Sequence, residues 1–403
     1  MNPTIKARIE SIRRGEVPEG YKRTKIGIVP NEWNVESLKS HLIEYRHLSN
    51  DIDKFDIYSS SRNGLMLQSA YYSQKTATQT NLGYKTVPNG YVTYRHMSDD
   101  DIFHFNINRQ NKTILVSAEY PVFDTDDQTN TYFLITYLNS MARFRYFCRG
   151  QKMGGTRTRL YFNVLGDFKL AFPSISEQEK IAEILAGQDR VIALKEKLLA
   201  EKQKQKKYLM QQLLTCKKRL PGFSGEWKKV LLDELVQIST GNKNTQDQIV
   251  NGSYPFFIRS DEVCRINSYS FDGEAILIPG EGKIGEIFHY INGKFDYHQR
   301  VYKISDFACN GKYIFYYLQA FFKKRALSMS AKATVDSLRR EMLTGMDINL
   351  PSLKEQTAIA EILSTADKEI ELMKKDIEQE KLKKKSLMQL LLTGIVRVDE
   401  LVS

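Results

Sequence analysis

Pro173-Ser174-Ile-Ser-Glu177-Gln178-Glu-Lys-Ile181-Ala-Glu-Ile-Leu185 returns without a gap as Pro351-Ser352-Leu-Lys-Glu355-Gln356-Thr-Ala-Ile359-Ala-Glu-Ile-Leu363. The offset of 178 holds as far as Leu209-Met-Gln211 and Leu213-Leu-Thr215, which match Leu387-Met-Gln389 and Leu391-Leu-Thr393. Of the 44 aligned positions, 21 are identical, which makes this an internal duplication. The segments upstream of the two copies align poorly. A chain that repeats its connecting helices but diversifies what they carry reads as a spacer holding two separate readers.

Each copy opens on a serine three residues before a glutamate, Ser174 with Glu177 and Ser352 with Glu355. That is the capping-box pattern, in which serine and glutamate satisfy each other's orphan amides. The preceding proline stops backward extension. Apolar residues then recur at steps of three and four: Ile181, Leu185, Gln188 (a polar exception), Ile192, Leu199, Leu209 and Leu213 in the first copy. The second gives Ile359, Leu363, Ala366, Ile370, Met373, Ile377, Leu387 and Leu391. This predicts two helices of about 39 residues, each about 58 Å long, with a heptad seam. Lys202 and Lys206, and Glu380 and Lys384, interrupt the seams and read as register control or snorkelling.

Chain order sets the expected geometry. The segment 217–350 begins where the first helix ends and finishes where the second begins, so the pair should run antiparallel. The N-terminal segment then belongs at the other end of the rod. Charge agrees, because Lys195 to Lys207 would face Glu369, Glu371, Asp376, Glu378 and Glu380; such matching selects orientation more than it stabilises.

The chain has 403 residues, enough for two or three domains, and a formal net charge of +11, which favours a polyanionic partner such as nucleic acid. Cys148, Cys216, Cys264 and Cys309 are too far apart for a zinc pattern and read as buried reduced thiols. The N-terminus has no apolar run of signal-peptide type, and Ile314 to Phe322 is far short of the ~20 residues that cross a bilayer. A cytoplasmic protein without membrane contact is expected.

Both variable segments open alike. Glu32-Trp33-Asn-Val-Glu-Ser-Leu38 parallels Glu226-Trp227-Lys-Lys-Val-Leu-Leu232 at an offset of 194, and each predicts a first strand beside a buried tryptophan. Further strands are predicted at 90–95, 113–117, 274–279 and 299–304. Helices are predicted at 131–147 and 310–328, and last strands at 168–172 and 346–350. Two α/β (α+β) domains of one ancestral fold follow. The divisions are an arm at 1–24, a first domain at 25–172, a spacer helix at 173–216, a second domain at 217–350, a second spacer at 351–394 and a tail at 395–403. Arm and tail should meet, closing a circular pseudo-twofold arrangement.

The duplicated P-S-x-x-E-Q-x-x-I-A-E-I-L opening, the lysine-rich helices ending in L-M-Q-x-L-L-T and the Glu-Trp strands resemble the specificity subunits of Type I restriction–modification systems. Ser59-Ser-Ser-Arg62-Asn63-Gly-Leu65 and Ile278-Pro-Gly-Glu-Gly-Lys283-Ile-Gly285 are also similar to target-recognition sequence, so the resemblance spans nearly the whole chain. Cys216 where the second copy has Gly394, and Gln188 where it has Ala366, are departures. The resemblance implies a non-catalytic reader of double-stranded DNA, one domain per half of a split target, with the helices as a ruler. It also implies two modification (methyltransferase) subunits docked on the helices, whose seam residues Ile181, Leu185, Ile192, Leu209, Ile359, Leu363, Ile370 and Leu387 are the candidate docking positions. S-adenosylmethionine, ATP and magnesium would be bound by those partners and by restriction subunits, none by this chain.

Catalytic motifs are missing from the sequence itself. None of the ten prolines has a proline neighbour, which excludes the base-holding loop of amino-methyltransferases. No phosphate loop, nuclease core or paired-histidine helix is present. DNA contact should then rest on basic and amide-bearing loops. The first domain offers Gln151, Lys152, Thr156, Arg157 and Arg159, followed by Arg95 and by Arg62 with Asn63. The second offers Lys283, Gln299, Arg300, Lys332, Thr334 and Arg339. Two other readings remain: a recognition subunit whose single partner fuses methyltransferase and nuclease, and a coiled-coil scaffold without a DNA role.

Overall fold

The structure is a computed structural model, and it describes residues 3–68, 83–152, 154, 156–329 and 337–402. The chain divides into two compact units, residues 1–194 with 378–403 and residues 195–377. Both predicted spacers are single unbroken helices of 39 residues, Ile175–Leu213 and Leu353–Leu391. Each unit therefore holds one half of each helix. The first contains the start of the first helix and the end of the second, and the other unit contains the reverse.

The pair runs antiparallel in both units. In the first, Gln188 meets Glu380 at 2.7 Å and Asp189 meets Lys384 at 2.5 Å. In the second, Lys195 meets Asp376 at 2.7 Å, Lys202 meets Glu369 at 2.6 Å and Lys206 meets Asp367 at 2.5 Å. As one residue number rises its partner's falls. The predicted charge matching is thus selective. Glu371 and Glu378 instead pair with Lys375 and Lys381 on their own helix. Gln188 donates to Glu380, so two departures between the copies, Gln188 for Ala366 and Glu380 for Lys202, answer each other.

The first unit starts with a helix, Pro3–Arg13, whose Arg8 pairs with Glu400 at 2.6 Å and donates to the Ile395 carbonyl at 3.1 Å. The arm and the tail therefore meet. The recognition domain carries a four-stranded antiparallel sheet in the order Phe105–Ile107, Val92–Tyr94, Val122–Thr125, Leu42–Glu44. A three-stranded sheet of Ile114–Ser117, Tyr84–Val87 and Leu48–Ser49 accompanies it. The expected helix at 131–147 is two helices, Thr131–Ser140 and Ala142–Arg149, because the buried Met141 between them takes an extended backbone.

In the second unit one six-stranded sheet replaces the two. Its order is Gln237–Thr240, Val301–Ser305, Phe271–Pro279, His289–Tyr297, Tyr254–Phe257, Val263–Ile266, antiparallel except where Phe256 and Phe257 pair with Asp296 and Tyr297. One helix, Gly311–Ser328, packs on it. Both domains are therefore mixed helix and strand with mainly antiparallel sheets.

The closing strands keep one register in both units. Lys169–Phe172 pairs with Asn34–Ser37, Lys169 opposite Ser37; Asp347–Leu350 pairs with Lys228–Leu231, Asp347 opposite Leu231. Each domain's core runs straight into the helix pair. Trp33, Phe133 and Phe168 share a cluster with Ile181, Leu185 and Leu391, while Tyr313 and Ile348 share one with Leu213, Ile359 and Leu363. Trp33 is fully buried but Trp227 only partly. Cys216 is exposed rather than buried, whereas burial pushes the Cys148 thiol up to about 12 and the Cys309 thiol up to about 11.

Candidate nucleic-acid interface

The same contacts seat each recognition domain on the start of a long helix. Trp33 donates from Nε1 to Glu177 at 3.2 Å, and Trp227 to Glu355 at 3.2 Å. Arg397 binds Glu177 at 2.7 Å and Arg219 binds Glu355 at 2.7 Å. Gln178 and Gln356 each accept from the backbone amide of a cap asparagine, Asn130 and Asn310, both at 2.9 Å. Those asparagines in turn cap Thr131–Ser140 and Gly311–Ser328. The serine half of each expected capping box is made, from Ser174 and Ser352 at 3.3 Å. The glutamates bind tryptophan and arginine because those charge-assisted bonds also fix the domain.

The cationic positions fall at one corner of each domain. In the first unit Arg62 and Asn63 form the exposed tip of the hairpin Tyr58–Ser61 and Gly64–Leu67. Arg159 faces Met97 across a two-residue ladder that also pairs Thr158 with Ser98. Three consecutive aspartates follow that ladder, and each holds a different arginine. Arg157 meets Asp99 at 2.8 Å, Arg62 meets Asp100 at 2.5 Å and Arg149 lies 3.8 Å from Asp101. Thr158 donates to Asp101 as well, and Asp101 takes a left-handed backbone with φ of 63°. Arg95, Lys152 and Thr156 are exposed nearby in sequence. Gln151 donates back to the Phe147 carbonyl at 3.2 Å, so its amide is used inside the chain.

The second unit repeats the corner with different residues. Glu281 bridges to Ser337 as Met97 does to Arg159, and Leu338 and Leu160 donate to Gly280 and His96 in the same way. Glu281 alone holds two arginines, Arg300 and Arg259, the latter at 2.7 Å. Gln299 donates to Asn244 at 2.6 Å, and Lys283 is exposed. Arg339 is exposed and donates one terminal nitrogen to the Met329 carbonyl at 2.9 Å, which closes the end of Gly311–Ser328. Lys332 and Thr334 lie outside the described residues. Sequence reasoning missed Arg149, Arg259 and all the carboxylates. The Asp99-Asp100-Asp101 run was the available signal; Arg259 carried none.

The helix positions Ile181, Leu185, Ile192, Ile359, Leu363 and Ile370 are buried in this chain, and Leu209 and Leu387 pack against its cores. The six buried positions have their apolar surface covered within this chain, while Leu209 and Leu387 are half-buried. No helix among the described residues is long and apolar enough to cross a membrane.

Two diversified recognition domains, each seated on a duplicated helix by one set of contacts, define a duplicated α+β recognition protein. The chain belongs to the family described as Type I restriction modification DNA specificity domain, which it matches over residues 47–220 and again over 224–381. Recognition of a DNA target is the function of that family. The chain is 35% identical to the Escherichia coli Type I restriction enzyme EcoDI specificity subunit, over 38% of this chain and 34% of that relative. The match thus spans about a third of that relative's length. It is 24% identical to a putative type I restriction enzyme specificity subunit, MjaX, of Methanocaldococcus jannaschii, over 94% of this chain and 97% of that one. The fold is similar to the crystal structure of a type I restriction–modification S subunit from M. genitalium, with a TM-score of 0.59 at 13% identity, covering 89% of this chain and 96% of that one.

Proposed function

We propose that this chain reads a split duplex target, one recognition domain per half, and contributes no chemistry of its own to modification or cleavage. The observation that carries this is the repetition of the seat: Trp33, Glu177 and Arg397 in one unit, Trp227, Glu355 and Arg219 in the other. A scaffold would have no need to preserve the seat and vary the exposed cationic corner. The excess of positive charge suits phosphate neutralisation, which fixes the domain on the duplex, while base edges supply specificity.

Modification subunits carrying S-adenosylmethionine would dock on exposed positions of the helix pair, and restriction subunits would bring ATP and magnesium. The test is a domain exchange. Replacing residues 25–172 with the matching segment of a relative should change one half of the methylated motif, read by methylation-sensitive long-read sequencing. A change in both halves sinks the two-reader assignment.

A further inference from the structure

At the equivalent corner of both domains, carboxylates hold several of the arginines that face solvent, although the carboxylates and arginines come from different positions in the two corners. Three aspartates on one loop take three arginines in the first unit, and one glutamate takes two in the second. A DNA-binding surface gains affinity from bare arginines, so pairing them with carboxylates on both readers is a cost unless it serves discrimination.

We propose that Asp99, Asp100 and Glu281 are specificity-determining residues, which keep Arg157, Arg62, Arg259 and Arg300 off phosphates and present them to neutral base edges. This rests on the DNA-reading function proposed above. Arg157 gives its Nε to Asp99, which leaves both terminal nitrogens of the guanidinium fork for a bidentate acceptor such as guanine O6 and N7. Arg62, Arg259 and Arg300 each give one terminal nitrogen to the carboxylate and keep the rest of the fork. A guanine edge is uncharged and can sit beside the carboxylate. A phosphate brings a second negative charge into the same place and is repelled.

The magnitudes suit such a filter. The pairs are exposed, with side chains of Arg157 and Asp99 at 52% and 68%, so each is worth at most about 1 kcal/mol. A good bidentate base contact is worth about 1–3 kcal/mol, which is enough to displace or share the pair.

The experiment measures affinity of the full chain by fluorescence anisotropy over a salt series. One duplex has random sequence, and the other carries the motif found by methylation sequencing. Asp99→Asn with Asp100→Asn, and separately Glu281→Gln, should raise affinity for the random duplex by roughly 3- to 10-fold and steepen its salt dependence, because freed arginines release more counterions. Affinity for the motif should change by less than about 2-fold, so discrimination falls. Asp127→Asn, an exposed carboxylate away from the corner, controls for net charge, and Asp99→Glu should retain discrimination. Equal gains on both duplexes, matching those of Asp127→Asn, overturn the proposal, as does equal loss on both. A parent chain that prefers the motif while all variants discriminate as well as it does sinks only this inference. A parent that binds neither duplex sinks the DNA-reading function itself.

Discussion

Arg397 and Glu177, separated by 220 positions in the chain, lie 2.7 Å apart and join the C-terminal tail to the start of the first long helix. The same glutamate accepts from Trp33, and Arg397 reaches on to Glu32 at 2.7 Å. In the other unit Glu355 is almost fully buried under Arg219, with 2% of its side chain exposed. Removing either arginine strands a carboxylate that water reaches poorly. Arg397→Ala should cost about 2–3 kcal/mol, less than for a fully buried pair because Arg397 is about one quarter exposed, and Arg219→Ala should destabilise in the same direction. Thermal unfolding should show a fall of roughly 5–10 °C for Arg397→Ala and a fall for Arg219→Ala. Unchanged midpoints would mean that the seat is held by packing alone.

Cys216 and Gly394 occupy the same repeat position, and both backbones are left-handed, with φ of 61° and 71°. The two positions are not equivalent in their surroundings. A side chain at 394 would meet Pro30 at 2.7 Å and the Trp33 ring at 3.1 Å, while Cys216 is exposed. Left-handed geometry costs a residue with a Cβ about 1–2 kcal/mol. Cys216→Gly should therefore stabilise by up to about 1 kcal/mol, after the entropy of glycine in the unfolded chain is deducted. Gly394→Cys should destabilise by well over that amount, because strain and collision add. Denaturant midpoints of the two variants should move in opposite directions.

The helices and the opening and closing strands were legible because each rests on local pattern: the Ser174 and Ser352 caps, the apolar steps, the Glu-Trp openings. The antiparallel direction followed from chain order. The site was less legible, for a physical reason. Whether an arginine is free or committed depends on partners brought from elsewhere in the chain. Arg339 looked like Arg157 in the sequence, yet it closes a helix by donating to Met329. Arg259 gave no signal and sits on Glu281 beside Arg300. The seam residues Ile181 and Leu363 are covered within this chain, and an apolar stripe does not say which surface covers it.

His298 is buried at the strand end that carries Gln299 and Arg300, and its Nδ1 accepts from the Arg300 amide at 3.0 Å. That bond requires a neutral imidazole with its proton on Nε2. Burial first, and then the neighbouring Arg259 guanidinium, hold its pKa below the ordinary value of about 6.5. As pH falls the unfolded chain takes up this proton before the folded one does. The stability contribution is therefore complete above about pH 6.5 and is lost as pH drops through the folded value. His298→Asn keeps an acceptor for the Arg300 amide without a titrating ring. Between about pH 7.5 and about pH 5.5 the parent's melting temperature should fall further than that of the variant. Equal falls would assign the acid sensitivity to other groups.

Lys206 and Lys384, which interrupt the two apolar seams, do the same task in both units. Lys384 pairs with Asp189, which accepts from the Tyr132 hydroxyl at 2.5 Å; Lys206 pairs with Asp367, which accepts from the Tyr316 hydroxyl at 2.9 Å. The tyrosine comes from the first turn of one domain helix and the second turn of the other, so the contact is kept although its position is not. The lysines were read as register control or snorkelling, and the structure gives each an aspartate to neutralise, the one by which a recognition domain grips the spacer. Lys206 is only 16% exposed, so Lys206→Met should leave Asp367 undercompensated and cost about 1–2 kcal/mol. Converting the whole group, Lys206→Met with Asp367→Leu and Tyr316→Phe, removes every orphaned polar atom and should return to within about 1 kcal/mol of the parent. Chemical denaturation of single and triple variants separates the terms. If the single change is silent, the aspartate does not depend on the lysine, and the interruption of the seam needs a different cause.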